Sequence, residues 1–194
     1  MGKVVVFSFL LLACAWARAQ TSERLQNNDL ALTGGGQFAF SNPLDLGAAW
    51  ALEGTFAHAL LTVPLMSLSA ELPVAGSFNS SIPTLNGLRL ARTYNALFIT
   101  PGVRLRLAPS FPISPYLSAG IGYARFNRQY FDGTTSPSST MAFDLGGGLD
   151  LKVFPFVSLR GEIRDFNSGG VGLQSLVFGR QNNVFVTFGL ALRF

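Results

Sequence analysis

The sequence predicts an all-β fold, an eight-stranded antiparallel up-and-down transmembrane β-barrel, and three observations carry that expectation. Apolar residues recur with a period of two in run after run of roughly 9 to 11 residues, the length a tilted strand needs to cross a bilayer. Beyond the N-terminus no uninterrupted apolar stretch is long enough for a membrane helix. Only 12% of the 194 residues are charged although 48% are apolar, about half the charge an ordinary soluble domain carries. A chain so poor in solvated surface calls for a fold whose outside need not face water.

Taken from the start, "MGKVVVFSFLLLACAWARAQ" places Lys3 before an apolar run and Ala17-Arg18-Ala19 before Gln20, the pattern of a secretory signal peptide. The domain reading is therefore residues 1–19 as signal peptide and residues 20–194 as one outer-membrane β-barrel domain. A second cut is readable before Cys14, where Leu11-Leu12-Ala13-Cys14 resembles a lipoprotein box. Cleavage after Ala19 leaves a chain without cysteine, which excludes disulfide and thiol chemistry. It also removes Lys3 and Arg18, leaving twelve basic against ten acidic residues. That balance, with no basic tract, gives no reason to expect nucleic acid as a partner.

Eight alternating runs follow, near Leu30 to Phe40, Gly47 to Leu60, Leu65 to Ala75, Asn95 to Leu107, Tyr116 to Phe126, Met141 to Val153, Val157 to Phe166 and Asn183 to Phe194. Proline-bearing turns at Pro64, "SFPIS" and "FPF" alternate with longer polar connections: Gly76 to Tyr94, "NRQYFDGTTSPSST" and "NSGGVGLQSLVFGRQN". The first polar connection, "SNPLDLG", is short. Turns at one end and loops at the other suit a barrel with both termini on the turn side. The chain closes on "NNVFVTFGLALRF", whose even positions from Val184 to Phe194 are apolar. Such a strand would be a liability as an open edge, and pairing with the first strand removes the edge.

Face assignment is the second test, since lipid tolerates almost no charge on the outer row. The sixth run turns out Met141, Phe143, Leu145, Leu149, Leu151 and Val153 and turns in Asp144, Gly146, Gly148, Asp150 and Lys152. Collected over all runs, the inward row holds Glu53, Glu71, Asp144, Asp150 and Glu162 with Arg104, Arg106, Lys152, Arg160, Arg164 and Arg193. An eight-stranded barrel is only just wide enough for side chains. These charges are expected to form an ion-paired lumen network, because an unpaired one would be too costly to bury. Inward Gly102, Gly120, Gly122, Gly146, Gly148 and Gly189 would make room for the arginines. Outward Phe38, Phe40, Trp50, Phe56, Tyr123 and Phe194 would form girdles at the two interfaces.

The ending "TFGLALRF" resembles the C-terminal assembly signal of outer-membrane barrels, carried by Thr187, Gly189, Leu192 and Phe194, with Leu192 where an aromatic is commoner. With "PYLSAGIGYARF" and "FDLGGGLDLKVFPFVSLRGEIRDF", the chain resembles the small OmpA-like outer-membrane β-barrel proteins of Gram-negative bacteria. The resemblance implies Sec export, residence in the cell outer membrane among outer-membrane lipid and lipopolysaccharide, and recognition of the last strand by the barrel assembly machinery.

Little along the same rows points to catalysis. "TGGGQF" and "LGGGLDL" lie inside strand patterns and suit close strand approach better than a phosphate loop. His58 is the single histidine, on the lipid-facing row near a barrel end, with no serine in a recognisable catalytic arrangement. No cofactor, metal site or catalytic residue is expected. The reading is a non-enzymatic envelope protein that stabilises the membrane or presents its outer loops to an unidentified ligand; the alternatives are a narrow channel for small solutes and a lipid A-modifying enzyme using His58.

Overall fold

The computed structural model describes residues 26–39, 49–80, 93–129, 135–168 and 181–194. The expected signal peptide, Phe40, "SNPLDLG" and residues 81–92, 130–134 and 169–180 of the three longer connections lie outside them. Nine strands result: β1 (Asn28–Ala39), β2 (Ala49–Val63), β3 (Met66–Ser80), β4 (Thr93–Ile99), β5 (Gly102–Leu107), β6 (Ile113–Gln129), β7 (Thr135–Phe154), β8 (Val157–Ser168) and β9 (Gln181–Arg193). All neighbours are antiparallel, and no helix occurs among the described residues.

The architecture is an eight-stranded barrel, because β4 and β5 are two parts of one stave. The run from Asn95 to Leu107, expected as a single strand, is interrupted at Thr100-Pro101. Val74 still faces Ile99 above the gap and Glu71 faces Gly102 below it, in one unbroken register. The positions meeting there bring together Pro101 and the buried Pro73, and neither has an N–H for the ladder. One cross-bond survives on each side, Thr100 N–H to the Pro73 carbonyl at 3.4 Å and Ile121 N–H to the Pro101 carbonyl at 3.1 Å.

Closure is made by β1 and β9, paired from Asp29 with Arg193 to Ala39 with Asn183. Asn28 and Phe194 exchange both backbone hydrogen bonds, at 2.9 and 3.0 Å, and Arg193 N–H bonds the Phe156 carbonyl on the other flank at 2.9 Å. The last strand is thus paired on both sides to its end. Following paired residues once round the wall from Val184 through Asp165, Leu145, Ala119, Val103, Ala70, His58 and Asn28 leads to Phe194, ten residues along the starting strand. That stagger sets a strand tilt of about 40°, so ten residues climb roughly 25 Å along the axis, the height of an apolar membrane band.

At one end the turns are short: Pro64-Leu65, residues 108–112 and Pro155-Phe156. Ala108 adopts a left-handed backbone (φ 49°), rare for a side-chain-bearing residue. It is held by its N–H on the Leu65 carbonyl (2.8 Å) and by the Ser114 hydroxyl on its carbonyl (2.8 Å). At the other end β6 and β7 rise above the wall, still paired from Tyr123 and Met141 out to Gln129 and Thr135.

The outer wall is an apolar row. Phe111, Phe154, Phe156 and Phe194 ring the turn end, and Phe38, Trp50 and Phe78 project near the loop end. Phe56, in the middle of β2, lies between the two rings rather than at an interface. Among the described side chains only Arg125 and Asp165 put a charge on the outside, both toward the loop ends of their strands.

Candidate functional site

The lumen is built by the inward half of each strand's alternation, and the charges there form two groups. Toward the turn end, Asp29 and Asp150 take four guanidiniums. Arg160 Nη2 lies 2.9 Å from Asp29 and its Nε 2.8 Å from Asp150. Arg106 reaches Asp29 at 2.8 Å and Asp150 at 3.0 Å, and Arg193 reaches the same carboxylates at 3.5 and 2.8 Å. Arg104 contacts Asp29 at 3.4 Å and crosses to Glu71 at 2.5 Å, joining the two groups.

Nearer the middle of the barrel the ratio inverts. One guanidinium, Arg164, holds four carboxylates: Glu53 at 3.2 Å, Glu71 at 2.5 Å, Asp144 at 2.7 Å and Glu162 at 2.5 Å. Tyr116 sits between the groups. Its hydroxyl donates to Glu162 at 2.8 Å, while the Arg104 and Arg160 guanidiniums lie 4.5 and 5.2 Å from its ring centroid. Lys152, half-exposed on the inward row of β7, stands at the turn-end rim. With it the lumen holds six acids and six bases, yet the turn-end group carries three positive charges in excess and the middle group three negative. By formal charge the described lumen is balanced overall and polarised along its axis.

These pairs span seven of the eight staves, so the guanidiniums pin strands far apart in sequence. A bidentate guanidinium–carboxylate fork is the geometry in which a buried charge can recover most of its lost hydration. Arg104 and Arg160 have no exposed surface; at this level the wall is full.

Above the ionic layers lies a second filling, of aromatic rings. Phe98 stacks on Phe166 (4.7 Å between centroids, 26°) and meets Phe126 and Phe185 edge-on at 5.7 Å each, while Phe166 meets Phe185 at 5.0 Å. Inward Ala51, Ala75, Ala96, Ala124 and Ala142 surround them. Below the ionic layers, by contrast, the turn end opens into a vestibule of about 580 Å³ that reaches Arg106, Arg193, Lys152 and Asp29.

All eleven residues expected in the lumen stand on the inward row, ten of them inside the two groups and Lys152 at the rim. Three features were not foreseen. Asp29, the hub of the turn-end group, precedes the expected strand start at Leu30 by one residue; the two-residue count through Ala31 and Thr33 would have found it. Tyr116 lay at an expected strand boundary. The aromatic layer has its own signature: "RFN" at Arg125–Asn127 and "DFN" at Asp165–Asn167 put the polar residues outside and the ring inside, an inversion that fits strands leaving the membrane.

The inward glycines divide by role. A side chain at Gly146 would crowd Arg164 Cβ at 3.2 Å, and one at Gly148 would meet the Tyr116 hydroxyl at 2.5 Å, so these two do leave room for lumen side chains. At Gly102, Gly122 and Gly189 a Cβ would overlap the neighbouring backbone carbonyls of Ala119, Ile99 and Leu32. Those three permit close strand approach and curvature rather than space for arginine.

Among the described residues no His, Cys, Asp and Glu side chains group as metal ligands. His58 faces outward at the turn end, its Nδ1 2.9 Å from Asn28 Oδ1. Of the remaining singled-out residues, Thr187 is inward and buried, Leu192 and Phe194 are outward, and Gly189 packs against β1.

Neither a protein-family model nor a curated protein sequence matches the chain. Solved structures do. Neisserial surface protein A is similar with a TM-score of 0.62 at 14% identity, over 87% of this chain and 97% of that one. The N-terminal β-barrel domain of Pseudomonas aeruginosa OprF gives 0.56 at 12% identity, over 87% and 98%. The outer membrane enzyme PagL gives 0.57 at 14% identity, over 86% and 99%. The chain therefore has the fold of the small eight-stranded β-barrels found among outer-membrane proteins.

Proposed function

We propose that the protein is a non-enzymatic integral protein of the Gram-negative outer membrane, exported with removal of residues 1–19, which stabilises the envelope and holds its long loops at the cell surface. The observation that carries this reading is the doubly filled lumen. A barrel closed by an ionic layer and then by a cluster of four phenylalanines offers a rigid support rather than a passage. The turn end would face the periplasm and the loop end the exterior, where "NRQYFDGTTSPSST" and "NSGGVGLQSLVFGRQN" would be available to a ligand.

The channel alternative requires both fillings to move, against buried pairs that are costly to break. The lipid A enzyme alternative requires a general base in the outer leaflet. The single histidine stands at the other end of the barrel, and its neighbour is an asparagine. In the same reading, Thr187, Gly189, Leu192 and Phe194 serve the barrel assembly machinery, and lipopolysaccharide surrounds the loop end. Reconstitution into planar bilayers tests the reading: the wild-type barrel is expected to give no discrete conductance steps, and reproducible single-channel steps would replace it with the channel.

A further inference from the structure

The turn-end vestibule has more cationic donor capacity than its own carboxylates use. Arg106 and Arg193 both place Nη2 on Asp150 Oδ2, at 3.0 and 2.8 Å, and both reach Asp29 Oδ2. Sharing two acceptors puts the guanidiniums side by side. Each is more than nine-tenths buried yet lines the cavity. The Nε of Arg106 finds no acceptor among the described residues, nor do Arg104 Nη2 and Arg160 Nη1 deeper in the same group. Arg193 Nε touches Asp29 only at 3.5 Å, without a hydrogen bond. Lys152 stands on the same cavity wall.

We propose that this vestibule binds a small phosphate-bearing anion between Arg106, Arg193 and Lys152. Three cations, Arg106, Arg193 and Lys152, line a concavity of ligand size against one carboxylate, Asp29, and a recessed site of this kind strengthens their field. Adjacent planar forks with unused N–H groups match the oxygens of a tetrahedral oxyanion, and a rim lysine adds a mobile point charge. The three negative charges in excess lie deeper, behind Arg104 and Arg160, and hold the anion at the turn end. The source of the phosphate is either a solute entering from the turn side or a lipid headgroup curling over the rim.

The test uses the mature chain refolded in a phosphate-free non-ionic detergent, with inorganic phosphate titrated in and followed by calorimetry and by ¹H–¹⁵N NMR. The expected result is saturable one-to-one binding that weakens about fivefold or more in Lys152→Gln and is unchanged in Arg125→Gln, which removes an exposed arginine toward the opposite end. Arg193→Lys, which keeps charge but removes the fork, should also weaken it. A repeat in phosphatidylglycerol nanodiscs identifies the source: loss of apparent phosphate affinity there means that headgroups occupy the vestibule, and unchanged affinity means a free solute. Absence of saturable binding, or equal weakening by Lys152→Gln and Arg125→Gln, overturns the proposal.

Discussion

Replacing Arg164 by alanine removes a cation that faces four buried carboxylates, of which Glu71 keeps its contact with Arg104. Breaking a single buried ion pair by deleting one partner costs about 3–5 kcal/mol. Here the deletion strands Glu53, Asp144 and Glu162 together and leaves Glu71 to Arg104 alone, four carboxylates that the guanidinium holds at 2.5 to 3.2 Å. The cost is therefore at or above the top of that range, roughly three to four decades in the folding equilibrium. The assay is urea unfolding from lipid vesicles, read by the fluorescence of Trp50, the only tryptophan outside the expected signal peptide, with linear extrapolation to water. Because the penalty comes from uncompensated charge, adding Glu53→Gln and Glu162→Gln to an Arg164→Met background should recover part of it, a coupling that a double-mutant cycle isolates. A loss below about 1 kcal/mol for Arg164→Ala, the scale of a surface pair, would refute the reasoning.

Gly189→Val should prevent compact folding, because its Cβ would overlap the Leu32 carbonyl, whereas Gly54→Ala, with open space around it, should be tolerated; mobility of unboiled samples on a gel separates the two. Phe98→Ala should cost about 3–5 kcal/mol through the cavity it leaves in the ring cluster, measured by the same urea unfolding, and should still give a silent bilayer because the ionic layer below remains. Phe194→Ala keeps the backbone bonds to Asn28, so refolding in detergent should be unchanged while the amount reaching the outer membrane in cells falls several-fold.

Much of this architecture was legible because a membrane barrel imposes one rule everywhere: apolar out, anything else in. That rule located the strands and sorted Arg160, Glu162 and Arg164 from Leu159 and Ile163 without any knowledge of pairing. It fails where the rule itself lapses. Phe98 stands between Leu97 and Ile99, and Phe185 between Val184 and Val186, so no alternation marks which face they take; at Phe166 the phase is inverted outright. Partner choice was also out of reach, since which acid meets Arg164 depends on the ten-residue stagger rather than on any local pattern. The break at Thr100-Pro101 needed a second proline from another strand, and only the register places Pro73 opposite Thr100.

The claim on which all else rests is that β1 closes against β9 in the stated register. Ala31 and Ala191 face each other in a non-hydrogen-bonded pair, where Cα atoms stand about 4.5 Å apart, close enough for a disulfide. In the mature chain, with Cys14 expected to leave with the signal peptide, Ala31→Cys with Ala191→Cys should oxidise rapidly in membranes to a product of altered mobility that reductant reverses. Ala31→Cys with Leu192→Cys, one residue out and on the opposite face, should not. Failure of the first pair to cross-link, or equal cross-linking of the second, would contradict the closed barrel.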